Sequence, residues 1–146
     1  MIAETIQLAL APVFLLVAIG NILNMLSFRL SRVVDRVREM GERHGATEGA
    51  EHDDIVREMR SLDVRIEAIN KAMLLLVVSA LLTGLTVVSI FLTTSWLAAY
   101  WWLDAIFFIS ALGLLMAALG LFLKEARLAS ATLRVPTRLL EYDRSL

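Results

Sequence analysis

Two asparagines stand inside an apolar run near the beginning of the chain. Asn21 and Asn24 lie within residues 5–28, a stretch that contains no charged residue. An amide that faced lipid would have no hydrogen-bonding partner, so both side chains are expected to face protein or water. Side chains of this type can hydrogen-bond between helices, or they can line a water-filled passage.

The asparagines belong to a longer stripe on one face of the first helix, because its members recur at spacings of three and four residues. The candidate pore-lining residues of this stripe are Asn21, Asn24, Phe28, Ser31 and Arg32. Towards the N-terminus the same face is apolar, and the candidate gate residues there are Leu10, Phe14 and Val17. An apolar constriction of this kind can gate by dewetting.

Charged residues lie beyond both ends of the stripe. Glu4 and Asp104 are the candidate outer acidic residues, and Arg29 and Arg36 are the candidate inner basic residues. Two interpretations of the stripe remain open. In one, Asn21, Asn24 and Ser27 form hydrogen bonds between helices; in the other, the stripe lines an inward-facing vestibule of a symmetric homo-oligomer.

Other combinations of reactive residues are weak. His44 and His52 lie near several carboxylates in a glycine-containing polar segment, and such a set could hold a divalent ion. Polar loops commonly have this composition without a metal, so we expect neither a metal site nor a cofactor. The sequence contains no phosphate-binding glycine loop, nucleophile elbow or HExxH motif. We therefore do not expect an enzyme.

The apolar content indicates a membrane protein. The chain has 146 residues, of which 58% are hydrophobic, and its mean hydropathy is +0.71. Charge is absent from residues 5–28, 72–103 and 105–123. About 20 mostly apolar residues suffice for one membrane-spanning helix. The sequence therefore predicts three spans, at roughly residues 6–28, 72–94 and 100–123.

The positions of the basic residues predict the orientation. All 14 Lys and Arg residues lie in segments 29–43, 57–71 and 124–144. By the positive-inside rule, these segments are cytoplasmic and the N-terminus is outside. The net charge of −1 gives no indication of a nucleic-acid partner. The expected partners are further copies of the chain, membrane lipid and inorganic ions.

The polar connection between the first two spans has two heptad-like apolar series, one on each side of a glycine-containing turn. The first series is Leu26, Leu30, Val33, Val37 and Met40, and the second is Ile55, Met59, Leu62, Ile66, Ile69 and Met73. We predict an all-α integral membrane protein whose first two spans are joined by a cytoplasmic antiparallel coiled-coil hairpin. Its segments are an outer N-terminus with the first span (1–28), the hairpin (29–71), the second and third spans with a short outer turn (72–123), and a cytoplasmic amphipathic tail (124–146).

Small residues on the second and third spans are a further packing signal. Ala80 and Gly84 are four residues apart, as are Gly113 and Ala117. Small side chains at this spacing let helix backbones approach closely, which favours association without specifying its partner.

Residues 11–39 carry a resemblance to a known family. An apolar span runs into a segment with the pattern R-x-x-R, two hydrophobic residues and D-R-x-R, matched from Arg29 to Arg38. This combination resembles the bacterial membrane proteins known as domain of unknown function 2721, and two further spans extend the likeness over most of the chain. The resemblance implies a bacterial inner-membrane protein and no particular activity.

From the residues we predict a homo-oligomeric ion channel that the first helix lines, with cations slightly favoured because carboxylates lie at its outer end. The alternative is a non-conducting scaffold or regulatory subunit that binds a partner through the cytoplasmic hairpin.

Overall fold

The computed structural model describes residues 2–45, 47–95 and 102–132, and these residues form three long helices. Helix α1 spans Ile2–His44, α2 spans Ala50–Ser95 and α3 spans Trp102–Thr132. Each contains a segment long and apolar enough to cross a membrane. The prediction of three long apolar helices is therefore confirmed. The predicted outer turn falls partly on residues 96–101, which lie outside the described residues, as does the predicted tail beyond Thr132.

Helices α1 and α2 run beyond their apolar segments without interruption. No glycine or proline lies between Gly20 and Gly41, so the helical hydrogen bonds of α1 continue from the apolar run into the polar one. We call residues 29–44 of α1 and 50–71 of α2 the polar arm. At its tip, Gly49 has a φ of 71°, a conformation that glycine adopts without strain. The Thr47 hydroxyl donates a hydrogen bond to the Arg43 carbonyl oxygen at 3.2 Å, so this carbonyl at the C-terminal end of α1 has a partner.

One apolar cluster holds α1 against α2. Its buried members include six residues of the two heptad-like series, namely Leu26, Val33, Met40, Ile55, Leu62 and Ile69. The cluster continues into the apolar segments through Ile19 and Leu76, both completely buried. Burial of side chains this large stabilises by about 1.5–3 kcal/mol each where the exposed reference is water. The packing seam thus crosses the boundary between the apolar segments and the polar arm.

Helix α3 packs against α2 through small and hydroxyl-bearing side chains. Ser79 is completely buried and donates a hydrogen bond to the carbonyl oxygen of Ala111 at 2.7 Å. Thr83 and Thr86 are also buried, and each donates to a carbonyl of its own helix one turn earlier. The hydroxyl groups are therefore satisfied without water, as an apolar environment requires.

The small residues of α3 that could allow a close approach to another helix lie outside its contact with α2. Gly113 and Gly120 are exposed on α3, and a Cβ atom added at either would meet nothing within 4 Å. Ala117 is exposed as well. Within the described residues, the close α2–α3 contact runs along the face that carries Ser79 and Ala111 instead.

Helix α3 also continues past the predicted end of its span. Its apolar part is followed by Lys124 and Glu125, and the helix runs through both to Thr132. The boundary predicted between residues 123 and 124 is therefore not a break in the helix. This extension brings Glu125 to the place where α1 and α2 enter the polar arm.

Candidate functional site

The predicted stripe on α1 lies on the outer surface of the chain. Asn21, Asn24, Phe28, Ser31 and Arg32 are all exposed. The side chain of Phe28 is 65% accessible, so it takes little part in packing within the chain. The cluster against α2 uses the opposite side of α1, through Leu26 and Val33. Folding of one chain thus leaves the stripe uncovered.

The amides of the stripe have no hydrogen-bond partner among the described residues. Among the residues that the structure describes, no hydrogen bond joins Asn21 or Asn24 to α2 or α3. The nearby Ser27 hydroxyl donates to the Leu23 carbonyl of its own helix at 2.9 Å. Among the described residues, Asn21, Asn24 and Ser27 therefore form no hydrogen bond from one helix to another. If the apolar run lies in a bilayer, the amides need a second protein chain or water.

The candidate gate residues share this exposed face. Phe14 is 68% accessible and Val17 60% accessible, and Leu10 is also exposed. A single helix cannot close a passage, so these residues could form a constriction only if several copies of α1 gathered around an axis.

The two candidate outer acidic residues are not equivalent. Glu4 is exposed near the beginning of α1. Asp104 is partly buried in α3 and accepts hydrogen bonds from two hydroxyl groups of α2. Thr93 donates to its Oδ2 at 2.9 Å, and Ser89 donates to its Oδ1. Asp104 therefore joins α2 to α3 at one end of the apolar segments.

The two candidate inner basic residues are held by carboxylates. Arg36 bonds to Glu39 at 2.9 Å and to Glu58 across the polar arm at 3.1 Å. The hydrogen bonds that Arg36 donates, first to Glu39 and then to Glu58, raise the pKa of Arg36 above its usual range, so its charge is constant. Arg29 forms an ion pair with Glu125 of α3, with 2.8 Å between Nη2 and Oε2.

Glu125 is the most buried charged residue that the structure describes, with 1% of its side chain accessible. Its Oε1 accepts a hydrogen bond from Nε of Arg65 at 3.2 Å, while Arg29 approaches the other oxygen as an ion pair. Arg29 also lies over the ring of Phe122, with its guanidinium carbon 5.0 Å from the ring centroid. One carboxylate of α3 thus links both helices of the polar arm where they meet the apolar segments.

The sequence reasoning missed this contact. Glu125 had been grouped with the tail, although it is the single acidic residue between Asp104 and Glu141. The available signal was an isolated acidic residue at the end of an apolar run, close in sequence to the basic residues Lys124 and Arg127. The signal was ambiguous because spacing along one chain does not indicate which residues of other helices lie nearby.

A basic groove lies beside this contact. It has a volume of about 410 Å³ and runs between α1 and α2. Its lining consists of Arg29, Arg32, Val33, Arg36, Leu62 and Arg65. Among the described residues, Arg32 forms no ion pair, whereas the other three arginines do. The groove is therefore a site of net positive charge.

The histidines of the turn do not assemble a metal site. Their rings are 4.3 Å apart between centroids. Within the described ranges, no group of three or more His, Cys or acidic residues is placed to hold a metal ion.

The fold defines an all-helical protein with three helices that could span a membrane and a polar arm that extends two of them. The chain belongs to the family described as Protein of unknown function (DUF2721), whose model matches residues 9–135. The resemblance seen in residues 11–39 is thereby confirmed. No curated protein matches the chain, and no solved structure does.

Proposed function

We propose that the chain assembles into a homo-oligomeric membrane channel with α1 innermost. The observation that supports this proposal is the exposed stripe of Asn21 and Asn24, whose amides have no hydrogen-bond partner in the part of the chain that the structure describes. Several copies of α1 around an axis would give these amides water or one another. The exposed Leu10, Phe14 and Val17 would then form the apolar gate.

The membrane arrangement forms part of the proposal. The N-terminus lies outside, and the polar arm lies in the cytoplasm as an antiparallel coiled coil, because the basic residues are concentrated there. The family resemblance supports a bacterial inner membrane. The described residues offer no catalytic or metal-binding constellation, and we propose a non-enzymatic role.

Inorganic ions are the proposed permeant species, with cations favoured. Glu4 would contribute negative charge at the outer end. At the inner end, Arg29 and Arg36 are already paired with carboxylates, which reduces the barrier that they would present to cations. Phe28 and Ser31 would continue the lining from the asparagines, and Arg32 would lie at its inner rim.

A second candidate function is a non-conducting scaffold or regulatory subunit. It is favoured by an open groove of about 590 Å³ on the polar arm, between Val37 of α1 and Met59 and Ile66 of α2. A partner helix with an apolar face is the type of ligand that such a groove accepts. In this case the stripe of α1 would be covered by protein contacts rather than by water.

The first experiment determines the oligomeric state and symmetry of the purified protein, viewed along the membrane axis. A closed ring with α1 innermost supports the channel. A monomer, or a dimer in which the α1 helices bury their stripes against each other, refutes it.

The second experiment replaces both asparagines, Asn21→Leu with Asn24→Leu, and measures ion flux from protein-containing vesicles together with oligomeric state. The channel predicts that flux falls while the oligomer persists, because an apolar vestibule loses its water. The scaffold predicts a weakened assembly and no flux in either protein. Asn70→Leu is the matched control, since Asn70 is an exposed asparagine of α2 away from the stripe.

A further inference from the structure

The arginines of the basic groove are arranged by depth. Arg29 directly follows the last residue of the apolar run of α1, and Arg32 lies four residues beyond Phe28, about 6 Å along the helix axis. The headgroup layer extends roughly 5–8 Å beyond the hydrocarbon on each side of a bilayer. If residues 5–28 occupy the hydrocarbon, these two arginines therefore lie at the level of the lipid phosphates. Arg36 lies about 12 Å beyond Phe28, outside that layer.

The end of the groove nearest the apolar segments has excess positive charge. Arg29, Arg32 and Arg65 line it, and Glu125 is the carboxylate that pairs with two of them. Three guanidinium groups thus face one carboxylate. Each guanidinium has five N–H donors, so pairing with Glu125 leaves donors on Arg29 and Arg65 for a second anion. Arg32 has all of its donors available among the described residues.

The groove is also pre-organised. Arg29 is fixed between the Glu125 carboxylate and the ring of Phe122, and Arg65 is fixed by Glu125. Arginines held in place lose little side-chain entropy when they bind a phosphate, and their planar groups bind its oxygens in pairs. Apart from Arg36, which is paired with Glu39 and Glu58, the remaining lining is apolar and consists of Val33 and Leu62. Such a surface suits a phosphodiester with attached carbon better than a fully hydrated inorganic ion.

The surface that leads from the groove into the apolar segment fits an acyl chain. Met25 precedes Arg29 by four residues and Arg32 by seven, so it lies on the same face of α1 one to two turns closer to the membrane centre. Its side chain is 43% accessible within the chain. A lipid whose phosphate occupied the groove would extend its chains along this face.

We propose that the groove between α1 and α2 binds the phosphate of an anionic phospholipid through Arg29, Arg32 and Arg65. The ligand chemistry is a phosphate oxyanion, and the depth of Arg29 and Arg32 assigns it to a lipid headgroup rather than to a free solute. Arg32 is also the proposed inner-rim residue of the channel, so a lipid bound here and an ion pathway past Arg32 would compete for the same face of α1. Lipid binding is counted without any flux measurement, so its outcome is obtained independently of the channel proposal.

The experiment titrates the purified full-length protein in detergent with dioleoyl phosphatidylglycerol and counts bound lipid by native mass spectrometry. Arg32→Gln is expected to weaken binding about fivefold, since a basic residue near a lipid surface contributes about 1 kcal/mol. Arg32→Lys is expected to retain most of the affinity, because a positive charge remains. Arg32 forms no ion pair among the described residues, so neither replacement should disturb the fold, and thermal unfolding checks this.

Lys124→Gln is the matched control. Lys124 directly follows the apolar run of α3, so it lies at the same depth as the groove, but it is exposed and does not line it. We expect this change to weaken binding by less than about twofold, because Lys124 does not line the groove and an exposed charge away from the phosphate contributes little. An equal loss of lipid affinity in Arg32→Gln and Lys124→Gln would mean that general surface charge, and not the groove, binds the lipid. That result would refute the proposed site.

Two further arms identify the ligand. Dioleoyl phosphatidylcholine, which has a phosphate but no net charge, is expected to bind more weakly than the anionic lipid and with less dependence on Arg32. Inorganic phosphate at equimolar concentration is expected not to displace the lipid. Displacement by inorganic phosphate would assign the groove to a free phosphate-bearing solute and refute the lipid assignment.

Discussion

Replacing Glu125 with Gln removes the carboxylate that arginines from two other helices share, while the volume of the side chain is kept. Glu125 is 1% accessible and lies 2.8 Å from Arg29 and 3.2 Å from Arg65. Removing one partner of a fully buried ion pair costs about 3–5 kcal/mol. The two arginine side chains here remain 30% and 24% accessible, so water solvates them in part after the change.

The amide of Gln also retains one hydrogen-bond acceptor for Arg65. A hydrogen bond to a charged group contributes about 1.5–3 kcal/mol. From these limits we expect Glu125→Gln to lower the free energy of unfolding by about 2 kcal/mol, a factor of roughly 30 in the unfolding equilibrium.

Equilibrium unfolding in mixed detergent micelles, followed by circular dichroism, measures this difference. Glu42→Gln is the control, because Glu42 is an exposed carboxylate on the polar arm with no ion pair among the described residues. We expect its effect to stay within about 0.5 kcal/mol. If Glu125→Gln has as small an effect as the control, the carboxylate does not link the three helices and the reasoning is wrong.

A double-mutant cycle makes the test more specific. Arg65→Gln and Glu125→Gln are measured singly and together, and residues in one ion-pair network are expected to couple by about 0.5–3 kcal/mol. Additive effects would show that the two side chains act independently.

Two further predictions concern other parts of the chain. Asp104→Asn keeps one hydrogen-bond acceptor but removes the charge that two hydroxyl groups of α2 approach, so it should lower the free energy of unfolding by about 1 kcal/mol. The control is Asp63→Asn on the exposed surface, which should not lower it. Equal effects of the two changes would contradict the role of Asp104. The pKa of Glu67 is lowered from its ordinary value of 4.5 by the hydrogen bond and charge of Lys71, 2.6 Å away. The resulting stabilisation is present above the unfolded-state pKa and is lost as the pH falls through the lower folded-state pKa. The stability difference between the parent and Glu67→Gln should therefore be present at neutral pH and vanish in acid, and a difference that persists in acid would contradict this origin.

Periodicity predicted the α1–α2 contact at the level of single residues. The two heptad-like series were read from spacing alone, and Leu26, Val33, Met40 and Ile55 are buried in the cluster between the helices. This succeeded because an amphipathic helix has one apolar face, and a short turn between two such helices places their apolar faces against each other. The same argument correctly placed the asparagines on the opposite face of α1.

The α2–α3 contact could not be predicted in this way. The apolar part of α3 has no polar face, and on α2 the contact face is marked by hydroxyl groups such as Ser79, Thr83 and Thr86 rather than by an apolar series. Apolar periodicity therefore does not distinguish the contact face from the lipid face. The small residues Gly113 and Ala117 favour association with an unspecified partner, which stays a prediction, and both are exposed in the chain. The face of α2 that meets α3 carries Ser79, which is buried against Ala111. Hydroxyl groups decide the face because they need hydrogen-bond partners in an apolar environment, and Asp104 adds to the same requirement.

The sequence by itself determined the number of long apolar helices, the extension of two of them into a polar arm, and the side of α1 that carries its polar stripe. These properties depend on local composition and on the helical repeat. Only the tertiary structure decided which arginines share the buried carboxylate of Glu125, and that Arg32, in the groove beside it, has no ion pair among the described residues. Those outcomes depend on which side chains of separate helices come within a few ångströms of each other. The spacing of residues along the sequence does not give these distances between helices.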